Sequence, residues 1–337
     1  MPELKLYIDH GSKVQMPILE DGVTWKTERR GSPGELTFTV VKDDTLGFEE
    51  GDPVRFYVDD KPIFFGFVFK KSRDKEHRIK VTAYDQLRYL KNKDTLTYDN
   101  WDCRQLIEKL AKAFGLNVGE KIEDNIADTG YKSEAIIEDN STAFDMILNH
   151  LDKVTQVKSK MYVLYDDFGT LKLKDLEDMR VNYWIHQGMM ENFDYTTTID
   201  GNTYNTVKVV LTDSNDSVRH VYMAKSTKNI NQWGILQLTE ELDANNYTPA
   251  DAKELCVDML DLYNRTERNL TLKGVIGDTR IRGGTWVPVT LYLGDIMLGD
   301  MTEQTAKPMI VESVTHTWKG DHHSMDLKLV SGGGFVA

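Results

Sequence analysis

Short alternating strands bounded by turn residues fill both ends of this chain, and that pattern limits its fold more than any other feature. Leu36, Phe38 and Val40 alternate with Glu35, Thr37 and Thr39, the period of a half-buried strand. Gly31-Ser32-Pro33-Gly34 marks a turn before it. Residues 54–58 and 63–69 read as two more strands around an Asp59-Asp60-Lys61-Pro62 turn, and 78–84 as a further one. Strands so short and so punctuated predict a small antiparallel barrel over residues 1–93.

Helical periodicity takes over in residues 94–188, which read as a small α+β domain. Leu106, Ile107, Leu110 and Phe114 make one helical stripe, with Gly115 placed to stop it. Phe144, Ile147, Leu148 and Leu151 make a second, with Asn140 and Ser141 as cap candidates. A hairpin is expected over 162–165 and 170–174, turning at Gly169. Residues 189–337 return to strands and read as a second barrel, interrupted by an insertion at 225–267. Within the insertion, Thr248-Pro249-Ala250-Asp251 is a helix start: a cap hydroxyl, proline at the first position and an acid three residues on. The Gly-rich tail, 331–337, is expected to order only against a partner. The predicted fold class is therefore α+β, mainly β, with two barrels around a small α+β domain.

Composition excludes several functions. With 41 basic and 54 acidic residues the net charge is −13, a poor balance for gripping nucleic acid by its phosphates. No apolar run suits a membrane span, so no membrane insertion is expected. Two cysteines, Cys103 and Cys256, and an opening Met1-Pro2-Glu3-Leu4 without signal-peptide character lead to folding in a reducing cytosol. Both cysteines sit at helix-packing positions and read as small hydrophobes. There is no nucleophile elbow, zinc-protease motif, phosphate loop or dinucleotide fingerprint. The pairs Asp43/Asp44, Asp59/Asp60 and Asp166/Asp167 have the look of catalytic or calcium-binding acids, but each lies at a turn, where aspartate bonds its own backbone. No catalytic, cofactor-binding or metal-binding residue is assigned.

Two clusters need a choice between readings. A two-residue turn at Gly320-Asp321 sets Trp318 against His323 and His316 against Met325, with His322 on the other face. The shared face is apolar, so His316 and His323 read as packed, hydrogen-bonded histidines rather than metal ligands. In residues 63–69, Phe65, Phe67 and Phe69 share one face and Phe64 the other, so both sides need cover. A subunit contact along Phe64, Phe65, Phe67 and Phe69 is one reading; a central strand covered by the chain itself is the plainer one.

Three stretches, taken in order, resemble a known family. They are Val81-Thr82-Ala83-Tyr84-Asp85-Gln86-Leu87-Arg88-Tyr89-Leu90; Trp233-Gly234-Ile235-Leu236-Gln237 with the following helix and Ile281-Arg282-Gly283-Gly284; and Ile310-Val311-Glu312-Ser313-Val314-Thr315-His316-Thr317-Trp318 with His322-His323-Ser324-Met325-Asp326-Leu327. Their order and spacing are similar to those of the baseplate hub proteins of contractile phage tails, in the PBSX-prophage, XkdQ-like branch. The resemblance implies a non-enzymatic assembly protein: two related barrels per subunit, and a homotrimer forming a ring of six. Such a ring joins a six-fold tail tube protein to a three-fold central spike protein, beside other baseplate proteins, around a channel. It implies no cofactor, no stable nucleic-acid binding, and a place in the tail baseplate of a virion or bacteriocin particle assembled in the bacterial cytoplasm. A tail-associated cell-wall hydrolase or carbohydrate-binding protein, and the hub portion of a secretion-system spike, are the alternatives.

Overall fold

In the computed structural model the described residues are 2–331, without 21, 159, 213–218, 246, 293–296 and 300–301. The expected Gly-rich tail, from 332 on, lies outside them. Seven strands come first: β1 (Leu4–His10), β2 (Lys13–Gln15), β3 (Val23–Glu28), β4 (Glu35–Val41), β5 (Pro53–Val58), β6 (Lys61–Arg73) and β7 (Arg78–Tyr84). Next come β8 (Lys93–Tyr98), α1 (Cys103–Phe114), β9 (Ile136–Thr142), α2 (Ala143–Lys158), β10 (Tyr162–Asp167), β11 (Thr170–Asp175), β12 (Ile185–His186) and β13 (Asn192–Thr198). They are followed by β14 (Thr206–Thr212), β15 (Arg219–Lys225), α3 (Thr227–Trp233), β16 (Gln237–Asp243) and α4 (Pro249–Tyr263). The chain ends with β17 (Glu267–Ile276), β18 (Trp286–Tyr292), β19 (Met297–Leu298), β20 (Lys307–Lys319) and β21 (His322–Ser331). The fold is mainly β, with large and mostly antiparallel sheets. Among the described residues the pairings close no barrel.

The chain forms two compact units: residues 1–194 with 271–329, and residues 195–270 with 330–337. In the first, one sheet runs β21-β20-β3-β4-β7-β6-β5-β1-β2. Alternation explains it. Leu36, Phe38 and Val40 point into the core with Val54, Phe56, Val58, Ile79 and Val81, and the intervening polar residues point out. Asp59 and Asp60 both have positive φ, 50° and 60°, which matches a tight hairpin turn to the strand twist. Gly66 cannot be larger: a Cβ there would lie 2.3 Å from the Tyr84 carbonyl oxygen.

A second core of the same unit lies between α1, α2 and the pairs β8–β9 and β10–β11, and holds Leu106, Ile107, Leu110, Ile147, Leu151, Leu164 and Leu173. Gly115 ends α1 in the left-handed conformation, φ 68°, as its placement predicts. The cap of α2 differs from expectation. Asn140 and Ser141 belong to β9, and the Thr142 hydroxyl accepts from the Asp145 amide at 3.0 Å. A threonine can end a strand and cap the helix that follows directly.

The second unit has a three-stranded sheet, β15-β14-β16, with β16 parallel to β14. α4 covers one face through Ala252, Cys256 and Met259 against Val207 and Val209. Its capping box, Thr248 with Asp251 and Pro249 at the first position, is the one read from sequence. The strands at 206–212 and 219–225, expected in the second barrel, belong to this sheet instead. Their alternation fits any half-buried sheet and does not name the partner.

One regularity emerges only from the topology. From β3 the sheet order is β3-β4-β7-β6-β5-β1; from β13 it is β13-β17-β21-β20-β18-β12. The two ends of the chain repeat one strand arrangement, each built on a strand of 13 residues, β6 or β20. The outermost pairs differ, since β1–β5 is antiparallel and β12–β18 parallel.

Candidate assembly interface

The two repeats are joined edge to edge. β3 and β20 pair antiparallel from Glu28↔Ser313 to Val23↔Trp318. Past the last rung the Arg29 amide donates to the Glu312 carbonyl at 2.9 Å, and the Arg29 guanidinium grips the Glu312 carboxylate at 2.7 Å. Trp318, only 1% exposed, enters the core of the first repeat and meets the Phe56 ring edge-on at 5.2 Å. Fully burying a side chain of that size is worth about 2–3 kcal/mol. The junction is therefore continuous core as well as a backbone ladder.

The histidines complete it, as the turn geometry predicts. His316 is fully buried and stacks between Trp25, at 5.0 Å, and Trp318, at 5.6 Å. His323 stacks on Trp318 at 4.5 Å. His316 Nε2 lies 2.8 Å from the Ile281 carbonyl oxygen, which only accepts, so the His316 proton is on Nε2. His316 Nδ1 is then the acceptor for His323 Nε2–H at 2.9 Å. Burial, and second the neighbouring His323, hold His316 down to about 3; burial holds His323 down to about 4. Both are neutral at pH 7. No group of three His, Cys, Asp or Glu side chains placed to hold a metal occurs among the described residues.

A buried polar knot lies where β7, the β10–β11 hairpin and the loop before β18 meet. Asp85 accepts from the Gly34 amide at 2.8 Å and the Leu87 amide at 3.0 Å. Gly34 is required there, because a Cβ would lie 2.5 Å from the Asp85 carboxylate. Asp166 accepts from Gln86 Nε2 at 2.6 Å and the Gly169 amide at 2.8 Å. Arg282 donates to the Asp166 carbonyl oxygen at 2.8 Å and lies over the Tyr165 ring at 4.0 Å. Burial raises Asp166 to about 6 and, together with nearby Asp166, pushes Asp85 well above the ordinary carboxylate range. Turn chemistry thus accounts for Asp43, which accepts from the Thr45 and Leu46 amides, and for Asp59 and Asp60. Asp166 does more than cap its turn. Its burial, and the role of Arg282, were not visible in sequence, because the partners lie 80 and 116 residues away.

The phenylalanines of β6 divide as alternation requires. Phe64, 3% exposed, lies in the first core. Phe65, Phe67 and Phe69 line the opposite face, half-buried. The chain supplies part of their cover: Phe168 lies 6.1 Å from Phe65, Tyr89 5.8 Å from both Phe67 and Phe69, and Tyr84 5.5 Å from Phe69. Cys103 and Cys256 are free and buried, and burial raises both thiols. No described helix is long and apolar enough to cross a membrane.

Comparison with known proteins agrees with this architecture. The sequence matches the YQBQ-like family over residues 23–330. It is 26% identical over 322 residues to the phage-like element PBSX protein XkdQ of Bacillus subtilis, covering 94% of this chain and 93% of that one. Protein YqbQ of the same organism is 25% identical with the same coverage. Among solved structures, the 43 kDa tail protein of prophage MuSo2 from Shewanella oneidensis superposes with a TM-score of 0.68 at 11% identity, covering 98% of this chain and all of that one. That likeness shows a shared fold.

Proposed function

The chain belongs to the YQBQ-like family, and on that premise we propose that it is the baseplate hub subunit of a contractile phage tail or phage-tail-like bacteriocin. The observation that carries the proposal is the repeated strand order, joined edge to edge through β3 and β20. Three such subunits supply six copies of the repeated strand arrangement. A closed ring of them has true three-fold and approximate six-fold symmetry, so it can meet a six-fold tube protein on one side and a three-fold spike on the other. In that ring each repeat acts as a barrel-like element, residues 1–93 and 189–337, with 94–188 set between them. The relatives named for a phage-like element and a phage tail support this reading.

The role is geometric, and the proposal assigns no catalytic residue or cofactor. A net charge of −13 suits a channel wall that does not hold passing DNA. The half-buried row Phe65, Phe67 and Phe69 is the part of β6 that a second subunit would finish covering, while Phe64 serves the chain's own core. Light scattering and negative-stain imaging of the purified protein, alone and mixed with its tube and spike proteins, test the proposal. The expected result is a mass of three subunits and a ring with a central hole. A chain that stays monomeric in every mixture refutes it.

A further inference from the structure

Aspartate followed by glycine occurs twice in the chain, at Asp21-Gly22 and Asp200-Gly201. In that dipeptide the glycine nitrogen can close a five-membered ring on the aspartate side-chain carboxyl, and no Cβ obstructs its approach. Whether the ring closes depends on what holds the glycine amide, and the fold treats the two amides differently. The Gly22 amide is tied. It donates to the Trp318 carbonyl at 3.1 Å, beside the Val23↔Trp318 end of the β3–β20 ladder. Both Val23 and Trp318 are buried, so this nitrogen reacts only if a packed part of the junction opens first.

The Gly201 amide is loose. Residues 200–202 are exposed and lie in the connection between β13 and β14. Among the described residues, neither the Gly201 amide nor the Asp200 carboxylate has a hydrogen-bond or ion-pair partner. The chain is anchored on both sides of them. The Asp200 amide donates to Thr198 Oγ1 at 2.9 Å, and the Thr198 hydroxyl donates to the Asp200 carbonyl oxygen at 3.4 Å. The Asn202 amide donates to the Glu267 carboxylate at 3.0 Å. Between these anchors Gly201 has φ 144°, a conformation open to glycine and resisted by other residues. The reacting side chain and the reacting nitrogen therefore stay free to turn toward each other while the loop holds its place.

We infer that Asp200 is a site of spontaneous isoaspartate formation in the folded protein, and that the bond between Asp21 and Gly22 is protected from the same reaction. The Gly201 nitrogen attacks the side-chain carboxyl carbon of Asp200 in its acid form. A C–N bond forms, and the carboxyl hydroxyl departs with the amide proton as water, which closes a succinimide. Water then opens the ring. Attack at the side-chain carbonyl restores aspartate. Attack at the main-chain carbonyl gives isoaspartate, with the chain running through the β-carbon. One water leaves and one is taken up, nothing is oxidised or reduced, and the mass is unchanged. The product has one more backbone methylene, and a free α-carboxylate stands where the Thr198 hydroxyl now meets a carbonyl. The change falls between the anchors at Thr198 and Asn202, so the β15-β14-β16 sheet keeps its pairing.

A protein isoaspartyl methyltransferase reads this product, because it transfers a methyl group from S-adenosylmethionine to the freed α-carboxylate. The full chain is held for weeks at 37 °C and pH 7.4, folded in buffer or unfolded in guanidinium chloride. It is then labelled, digested and mapped by peptide. The folded sample should take label only in the peptide that holds residue 200, and the unfolded sample in the peptides of both residues 21 and 200. Circular dichroism and melting of the folded sample should be unchanged by the ageing. Asp200→Glu, whose longer side chain would need a six-membered ring, should lose the label at that peptide and keep the fold. Label at both dipeptides in the folded sample overturns the claim that the fold selects between them. A folded sample without label at residue 200, or one whose label survives Asp200→Glu, overturns the site itself.

Discussion

Replacing His316 with glutamine isolates one proton at the junction between the repeats. A histidine in an unfolded chain titrates near 6.5, whereas burial between Trp25 and Trp318 lowers His316 to about 3. Its folded value is depressed, so the stability it contributes is complete above about pH 6.5 and is lost as pH falls toward 3. One proton bound by the unfolded state and not by the folded state gives a slope of about 1.4 kcal/mol per pH unit. From pH 6.5, where the unfolded histidine is half protonated, to 4.5 that is about 2 kcal/mol, a large part of the ~5–15 kcal/mol of a typical domain. His323, held at about 4, acts in the same direction, and Asp278 and Arg282 are the charged groups facing the pair. Glutamine can donate to the Ile281 carbonyl and accept from His323, but cannot titrate. Urea midpoints of wild type and His316→Gln at pH 4.5, 5.5 and 6.5, at constant m-value, measure the difference. The variant should be less stable at pH 7, having lost its ring stack, yet its stability should fall less steeply with acid by about 1.4 kcal/mol per pH unit. Parallel slopes would refute the burial argument.

Asp166 should act with the opposite sign. Its folded value is raised to about 6, so its contribution is present below about pH 4 and lost as pH rises through 6. The stability of Asp166→Asn relative to wild type should therefore grow between pH 4 and 6, by up to about 3 kcal/mol, in the same urea series. Gly283→Ala should lower the melting temperature, because a Cβ would lie 2.3 Å from the Glu28 carbonyl carbon at the end of β3. Backbone displacement of this kind costs about 1–3 kcal/mol. Thr248→Ala should remove the hydroxyl that caps the Asp251 amide, leave the bond from the backbone amide at 248 to the Asp251 carboxylate, and cost about 1 kcal/mol, read as faster amide exchange in the first turn of that helix.

Local chemistry was legible wherever its cause lay within a few residues. The α4 start at Thr248-Pro249, the Gly115 stop and the Gly320-Asp321 turn are short-range rules, and the last placed His316 and His323 correctly. The mainly β character followed from alternation for the same reason. What could not be read was which edge meets which. The strand at 206–212 looks the same whether it joins β16 or the large sheet. The pairing of β3 with β20, which creates the junction, joins residues nearly 300 positions apart. Arg282 shows the same limit at a single residue. Nothing beside it in sequence marks it as buried, since its acceptor and its stacking ring come from β10.

That separation has a consequence during synthesis. β3 emerges early from the ribosome and β20 among the last strands, so at about 5–20 residues per second the β3 edge waits some 15–60 s for its partner. Thr24, Lys26 and Glu28 alternate on the outward side of β3 and keep the waiting edge polar. On a polysome, neighbouring nascent chains stand at different stages of this wait. A finished β20 from one can then occupy the open β3 of another and tie two chains together by a swapped strand. The interval between translating β3 and translating β20 thus sets how long each new chain is open to such an exchange.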